Sequence, residues 1–84
     1  MKTREKYLYS VITEHMEPPE TGPYNTYSIV LTQKGKILNK ISDVSLNRKD
    51  AESIANKLNR NDVSPEHFFD VVQDEVDRLA TALV

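Results

Sequence analysis

The stretch "DVSLNRKDAESIANKLNRN", Asp43 to Asn61, marks a change of hydrophobic period, and that change constrains the fold more than any other feature. Upstream, apolar residues crowd short runs rich in Tyr, Val, Ile and Thr, with no helical spacing. From Ala51 onward the period is helical. Ala51, Ile54, Ala55 and Leu58 fall at i, i+3, i+4 and i+7, one face of an α-helix. A chain that is strand-like on one side of such a switch and helical on the other folds as segregated α+β.

Three strands are expected upstream. "YLYSVITE", Tyr7 to Glu14, is the first. "HMEPPETGP" cannot prolong it, because Pro18, Pro19 and Pro23 lack backbone donors and fix φ, so residues 15–23 form a loop. "YNTYSIVLT", Tyr24 to Thr32, and "KILNKIS", Lys36 to Ser42, are joined by "QKGK". Gly35 there can take φ > 0, as in a hairpin connection of three to five residues. The spacing predicts a hairpin over 25–42, extended by the first strand into an antiparallel meander.

Two helices follow. Asn47 is a good N-cap for the first, with Asp50 at N3 and a weak hydrophobic staple from Leu46 to Ala51. "SPE", Ser64 to Glu66, starts the second, with Ser64 as N-cap and Pro65 at N1. Phe68, Val72, Val76, Leu79 and Leu83 form its apolar stripe, with Phe69 and Ala80 beside them. The reading is β-β-β-α-α, a three-stranded antiparallel meander with two C-terminal helices on one face. It is one domain over 1–84, with the sheet in 6–43 and the helices in 46–81.

The strands are apolar on both parities. Tyr7, Tyr9 and Val11 alternate with Leu8 and Ile12; Tyr27, Ile29 and Leu31 alternate with Val30; Ile37 and Ile41 stand opposite Leu38. A sheet covered on one side should be polar on the other. The far side is therefore expected to be covered by loop 15–23 and the termini, or by another subunit. Tyr7, Tyr9, Tyr27, Leu8, Ile12, Val30 and Leu38 are the candidate sheet interface, and tyrosine suits such a surface.

Charge and composition narrow the partners. The chain has 84 residues, no cysteine and net charge -2, which excludes disulfides, thiolate nucleophiles and cysteine-ligated metal or iron–sulfur sites. The basic start "MKTREKYLYS" is followed by no apolar signal-peptide core, and no run is long enough for a membrane span. A cytoplasmic location is expected, with no membrane partner. Residues 41–84 carry five Lys or Arg against nine Asp or Glu. Nucleic acid is thus a disfavoured partner, since nonspecific affinity for it comes from clustered cations.

The segments "YSVITE", "TYSIVLTQKGKILNKISDVS" and "NRNDVSPEHFFDVVQDEVD" resemble a family of small uncharacterised proteins of clostridia and related Firmicutes. The resemblance covers about residues 6–77. It lies in Ile41, Asp43, Val44 and Ser45, then in Asn59 or Asn61, Ser64, Pro65, His67, Asp70, Val71, Val72 and Asp74. It implies a bacterial protein of unknown function and no activity.

Glu66, Asp70, Asp74 and Asp77 occupy the wheel opposite the apolar stripe, with His67 close to Asp70 and Asp74. Five such residues form a candidate acidic docking face. A divalent metal on His67, Asp70 and Asp74 is an alternative, but one helix face coordinates incompletely and no His-Glu-x-x-His or calcium-loop pattern is present. Carboxylate catalysis needs a buried, shifted acid, and these face water. Arg48, Lys49, Lys57 and Arg60, with Lys2, Arg4 and Lys6, make a modest basic edge for a nucleic-acid-associated regulator, the second alternative. The expectation is a non-enzymatic protein without cofactor that binds protein, itself first as a homodimer.

Overall fold

The structure, a computed structural model, describes residues 7–82. Strands β1 (Leu8–Met16), β2 (Tyr24–Gln33) and β3 (Lys36–Ser45) are followed by helices α1 (Arg48–Arg60) and α2 (Phe68–Ala82). The sheet is antiparallel in the order β1-β2-β3. This is the β-β-β-α-α meander that the change of period predicts. Asn47 caps α1 as expected: its side-chain oxygen accepts from the Lys49 N–H at 2.8 Å and the Asp50 N–H at 3.4 Å. The second start differs. Pro65–His67 form a 3₁₀ turn before α2, and the Ser64 side chain makes no capping bond. Leu46 is exposed, so the expected staple to Ala51 does not bury it.

β1 and β2 pair without interruption from Leu8↔Thr32 to Met16↔Tyr24. The β2–β3 turn is tighter than expected. Lys34 (φ 55°) and Gly35 (φ 76°) alone connect Gln33↔Lys36, a two-residue loop with both residues left-handed, as a type I′ turn requires.

β3 is irregular twice. Ile37 faces Thr32 while Asn39 faces Leu31, which makes Leu38 an extra residue. One inserted residue reverses the alternation, so Ile37 shares the face of Thr32 and Ile41 shares that of Ile29. Strict parity had placed Ile37 and Ile41 together. The second irregularity holds Asp43 at φ 56°, a left-handed conformation that Asp tolerates better than most residues.

The core lies between the helices and one sheet face. Tyr9, Ile29, Leu31 and Val44 from the strands meet Ile54, Ala55 and Leu58 of α1 and Phe68 and Val72 of α2. Small Ala51 and Ala55 let α1 lie close to the sheet, and both are buried. Tyr9 organises the centre. Its ring sits 5.0 Å from that of Phe68 at 53°, and its hydroxyl donates to the Val63 carbonyl at 2.5 Å. Phe68 is fully buried, worth roughly 1.5–3 kcal/mol by transfer, whereas its neighbour Phe69 is 60% exposed. Val76 and Leu79 pack at the margin of the core; Leu83 lies outside the described residues.

Candidate protein-binding surfaces

The sheet face away from the helices divides into two halves. The half near Met16 is polar, which corrects the expectation of two apolar faces. Glu14 of β1 and Lys40 of β3 reach across the central strand to form an ion pair at 2.5 Å. Beneath it Ser28 of β2 is fully buried; it donates to Glu14 at 2.5 Å and accepts the Asp43 N–H at 3.0 Å. Lys40 first, then the Ser28 hydroxyl, holds the Glu14 carboxyl down to about 2 against the opposing effect of burial, with Ser42 adding to the depression.

Asp43, left-handed in its bulge, is held in the same network. It accepts the Tyr24 hydroxyl at 2.7 Å and the Thr26 hydroxyl at 2.6 Å. That bond to the carboxylate raises the Tyr24 phenol pKa, with burial as a smaller cause. Among the described residues every buried side-chain polar atom has a partner. The network closes on itself, and it pins the two edge strands to each other.

The other half of this face is apolar. Leu8 and Ile37 flank Thr32 from the two sides, and Leu38 adjoins Ile37. These three are 54%, 66% and 50% exposed. Of the other expected interface residues, Ile12 is half-buried on this face, and Val30 is buried in the middle strand. Tyr9 is in the core and Tyr7 packs against it, so neither belongs to a free surface; Tyr27 is half-buried with their parity.

The outer edge of β1 is a third surface. Tyr9 turns its backbone away from β2, and Asn59 of α1 meets it twice: Tyr9 N–H donates to Asn59 Oδ1, and Asn59 Nδ2 donates to the Tyr9 carbonyl, both at 2.9 Å. A carboxamide thus does for Tyr9 what a neighbouring strand would do. Sequence reasoning missed this role; the only signal was an Asn in the last turn of the helix. Beside it an open groove of 310 Å³ runs between β1 and α1, lined by Tyr9, Ser10, Val11, Glu52, Ala55 and Asn56.

Of the expected acidic face, Asp70, Asp74 and Asp77 lie on α2 and Glu66 and His67 on the 3₁₀ turn before it; all five are exposed, as is Phe69, which the wheel put beside the apolar stripe. Gln73 donates to Asp77 at 3.2 Å. Among the described residues no three His, Asp or Glu side chains converge as a metal-binding group. Glu75 has a separate role: it pairs with Lys57 of α1 at 2.8 Å and with Arg78, and these two cations, Lys57 first, lower its pKa. The basic edge is partly engaged, since Arg48 pairs with Glu52 and Lys57 with Glu75. Lys49 and Arg60 are exposed; Lys2, Arg4 and Lys6 lie outside the described residues. No helix among the described residues is long and apolar enough to cross a membrane.

Fold and surfaces define a small α+β domain, a three-stranded meander backed on one face by two helices. The chain belongs to a family of unknown function, DUF6514, whose model matches residues 1–78. No curated protein and no solved structure matches it.

Proposed function

We propose that the protein is a non-enzymatic binding protein of the cytoplasm of clostridia and related Firmicutes, acting through contact with other protein chains and first with a second copy of itself. The observation that carries this is the apolar half of the sheet face that no described element covers. Leu8, Ile37 and Leu38 gather there, each at least half exposed. Burying the exposed half of such side chains is worth about 1 kcal/mol each. Large apolar side chains grouped on an open sheet face mark an interaction surface better than single scattered ones do. The polar half supports the same reading, because the Glu14–Lys40 pair braces the sheet against which a partner packs.

Light scattering on the wild type and on a Leu8→Glu/Ile37→Glu double variant tests the proposal. The wild type should exceed its 9.6 kDa chain mass and rise toward twice that value with concentration. The double variant should have a lower mass than the wild type at equal concentration, with its melting temperature little changed. Equal masses for the two proteins would overturn the role of this face.

A further inference from the structure

We propose that the outer edge of β1 is a strand-pairing site whose occupant is β1 of a second copy, joined antiparallel about a two-fold axis at Thr13. The choice of occupant rests on the self-association reading above; the surface is a different one. β1 is an edge strand paired to β2 in one unbroken register. In an antiparallel pair, successive residues point their N–H and C=O alternately toward and away from the partner. Tyr9 points away, as its two bonds to Asn59 establish. Val11, Thr13 and His15 therefore point away as well. Among the described residues nothing bonds their outward backbone groups.

Beyond Tyr9, which Asn59 covers, the described residues leave this edge open to pairing. β3, the opposite edge, is broken by two irregularities and by left-handed Asp43. β1 has no bulge and no proline, and the carboxylate of Glu14 is committed across the sheet to Lys40 and Ser28. The Asn59 carboxamide, chemically a peptide group, shows what the edge accepts.

The set of open residues selects both the occupant and the register. Val11, Thr13 and His15 are symmetric about Thr13. An antiparallel copy centred there sets Thr13 against Thr13 and Val11 against His15, and satisfies all three residues with about six backbone hydrogen bonds. Shifting the centre to Ile12 would run the second strand into Asn59; shifting it to Glu14 would set two carboxylates face to face. Centred on Thr13, each Glu14 instead lies beside the other copy's Ile12. A ladder this short falls in the transient class of interface, so the dimer should dissociate on dilution.

The chain has no cysteine, so a Thr13→Cys variant can form only an intermolecular disulfide. Hydrogen-bonded antiparallel partners have Cα atoms about 5.5 Å apart, within disulfide range. Mild oxidation of Thr13→Cys should give a covalent dimer, whereas Ser53→Cys, exposed on α1, should remain monomeric. Thr13→Pro removes an N–H that makes no bond to β2, and should lower the mass below that of the wild type at equal concentration while keeping the far-ultraviolet spectrum of the wild type. Should Thr13→Pro unfold, the cysteine pair decides alone.

Cross-linking of Thr13→Cys no faster than that of Ser53→Cys would overturn the edge proposal. So would a folded Thr13→Pro that keeps the wild-type mass. A dimer lost in Leu8→Glu/Ile37→Glu but kept in Thr13→Pro retains the face reading and removes the edge. The reverse pattern retains the edge and removes the face. A wild type that stays monomeric and a Thr13→Cys that does not cross-link remove both.

Discussion

Replacing Asn59 by Ala should destabilise the protein by about 0.5–1.5 kcal/mol, although Asn59 lies on an exposed part of α1. The structure sets both terms. Two bonds of 2.9 Å to the Tyr9 backbone are lost, each worth roughly 0.5–1.5 kcal/mol. Because Asn59 is itself exposed, its truncation lets water reach the freed groups, and the lower half of that range applies. Against this, Ala is a better helix former than Asn by up to about 0.7 kcal/mol. Asn56→Ala supplies the control, since Asn56 is exposed on the same helix. It gains the same propensity without losing those bonds, so the variants should differ by about 1–2 kcal/mol. At the usual unfolding entropy for a domain of this size, that is a separation of roughly 6–11 °C in melting temperature. Thermal unfolding followed by circular dichroism at low protein concentration is the assay. Equal melting temperatures for the two variants would refute the claim that Asn59 serves as a surrogate strand.

Other perturbations read other parts of the structure. Phe68→Ala should cost about 3–5 kcal/mol, enough to unfold much of a small domain, while Phe69→Ala next to it should stay within about 0.5 kcal/mol by urea titration. Because Glu14 titrates lower in the folded chain than in the unfolded one, its contribution is complete above about pH 4.5 and is lost as pH falls through about 2. Linkage alone would give about 3 kcal/mol; the ion pair faces water, so about 1 kcal/mol is expected, and Glu14→Gln should flatten the acid limb of a stability–pH profile by that amount. Gly35→Ala meets no atom within 4 Å but must adopt φ near 76°, so it should lose about 1 kcal/mol in chemical denaturation.

The parts of the fold that were legible in the sequence are those carried by period and punctuation. The helical spacing of Ala51, Ile54, Ala55 and Leu58, the Asn47 cap and the turn at Gly35 are local signals, and each lies where it pointed. The face assignments of β3 were not legible. Nothing in "KILNKIS" announces that Leu38 is an extra residue, and that one residue sends Ile37 outward and Ile41 inward. Tyr9 and Leu8 looked equally suited to an interface. Only the arrival of Phe68 and Val63 from more than fifty residues away puts Tyr9 in the core and leaves Leu8 outside.

The exposure of Glu66, Asp70, Asp74 and Asp77 was legible from the wheel. Glu75, which holds the helices together through Lys57, was hidden in the same acidic run because its partner lies on the other helix. Asp43 belonged to the quoted stretch ending "ISDVS", but its role needs Tyr24 and Thr26 from a different strand. In each case the missing information was tertiary: a pair of residues distant in the chain and adjacent in the sheet.

The most direct test of the central claim, that this small domain works by joining protein surfaces and its own copy first, is sedimentation equilibrium of the wild type over a wide concentration range. A weight-average mass that climbs from 9.6 kDa toward twice that value, and falls back on dilution, is the predicted result. A single species of 9.6 kDa at every concentration would contradict it.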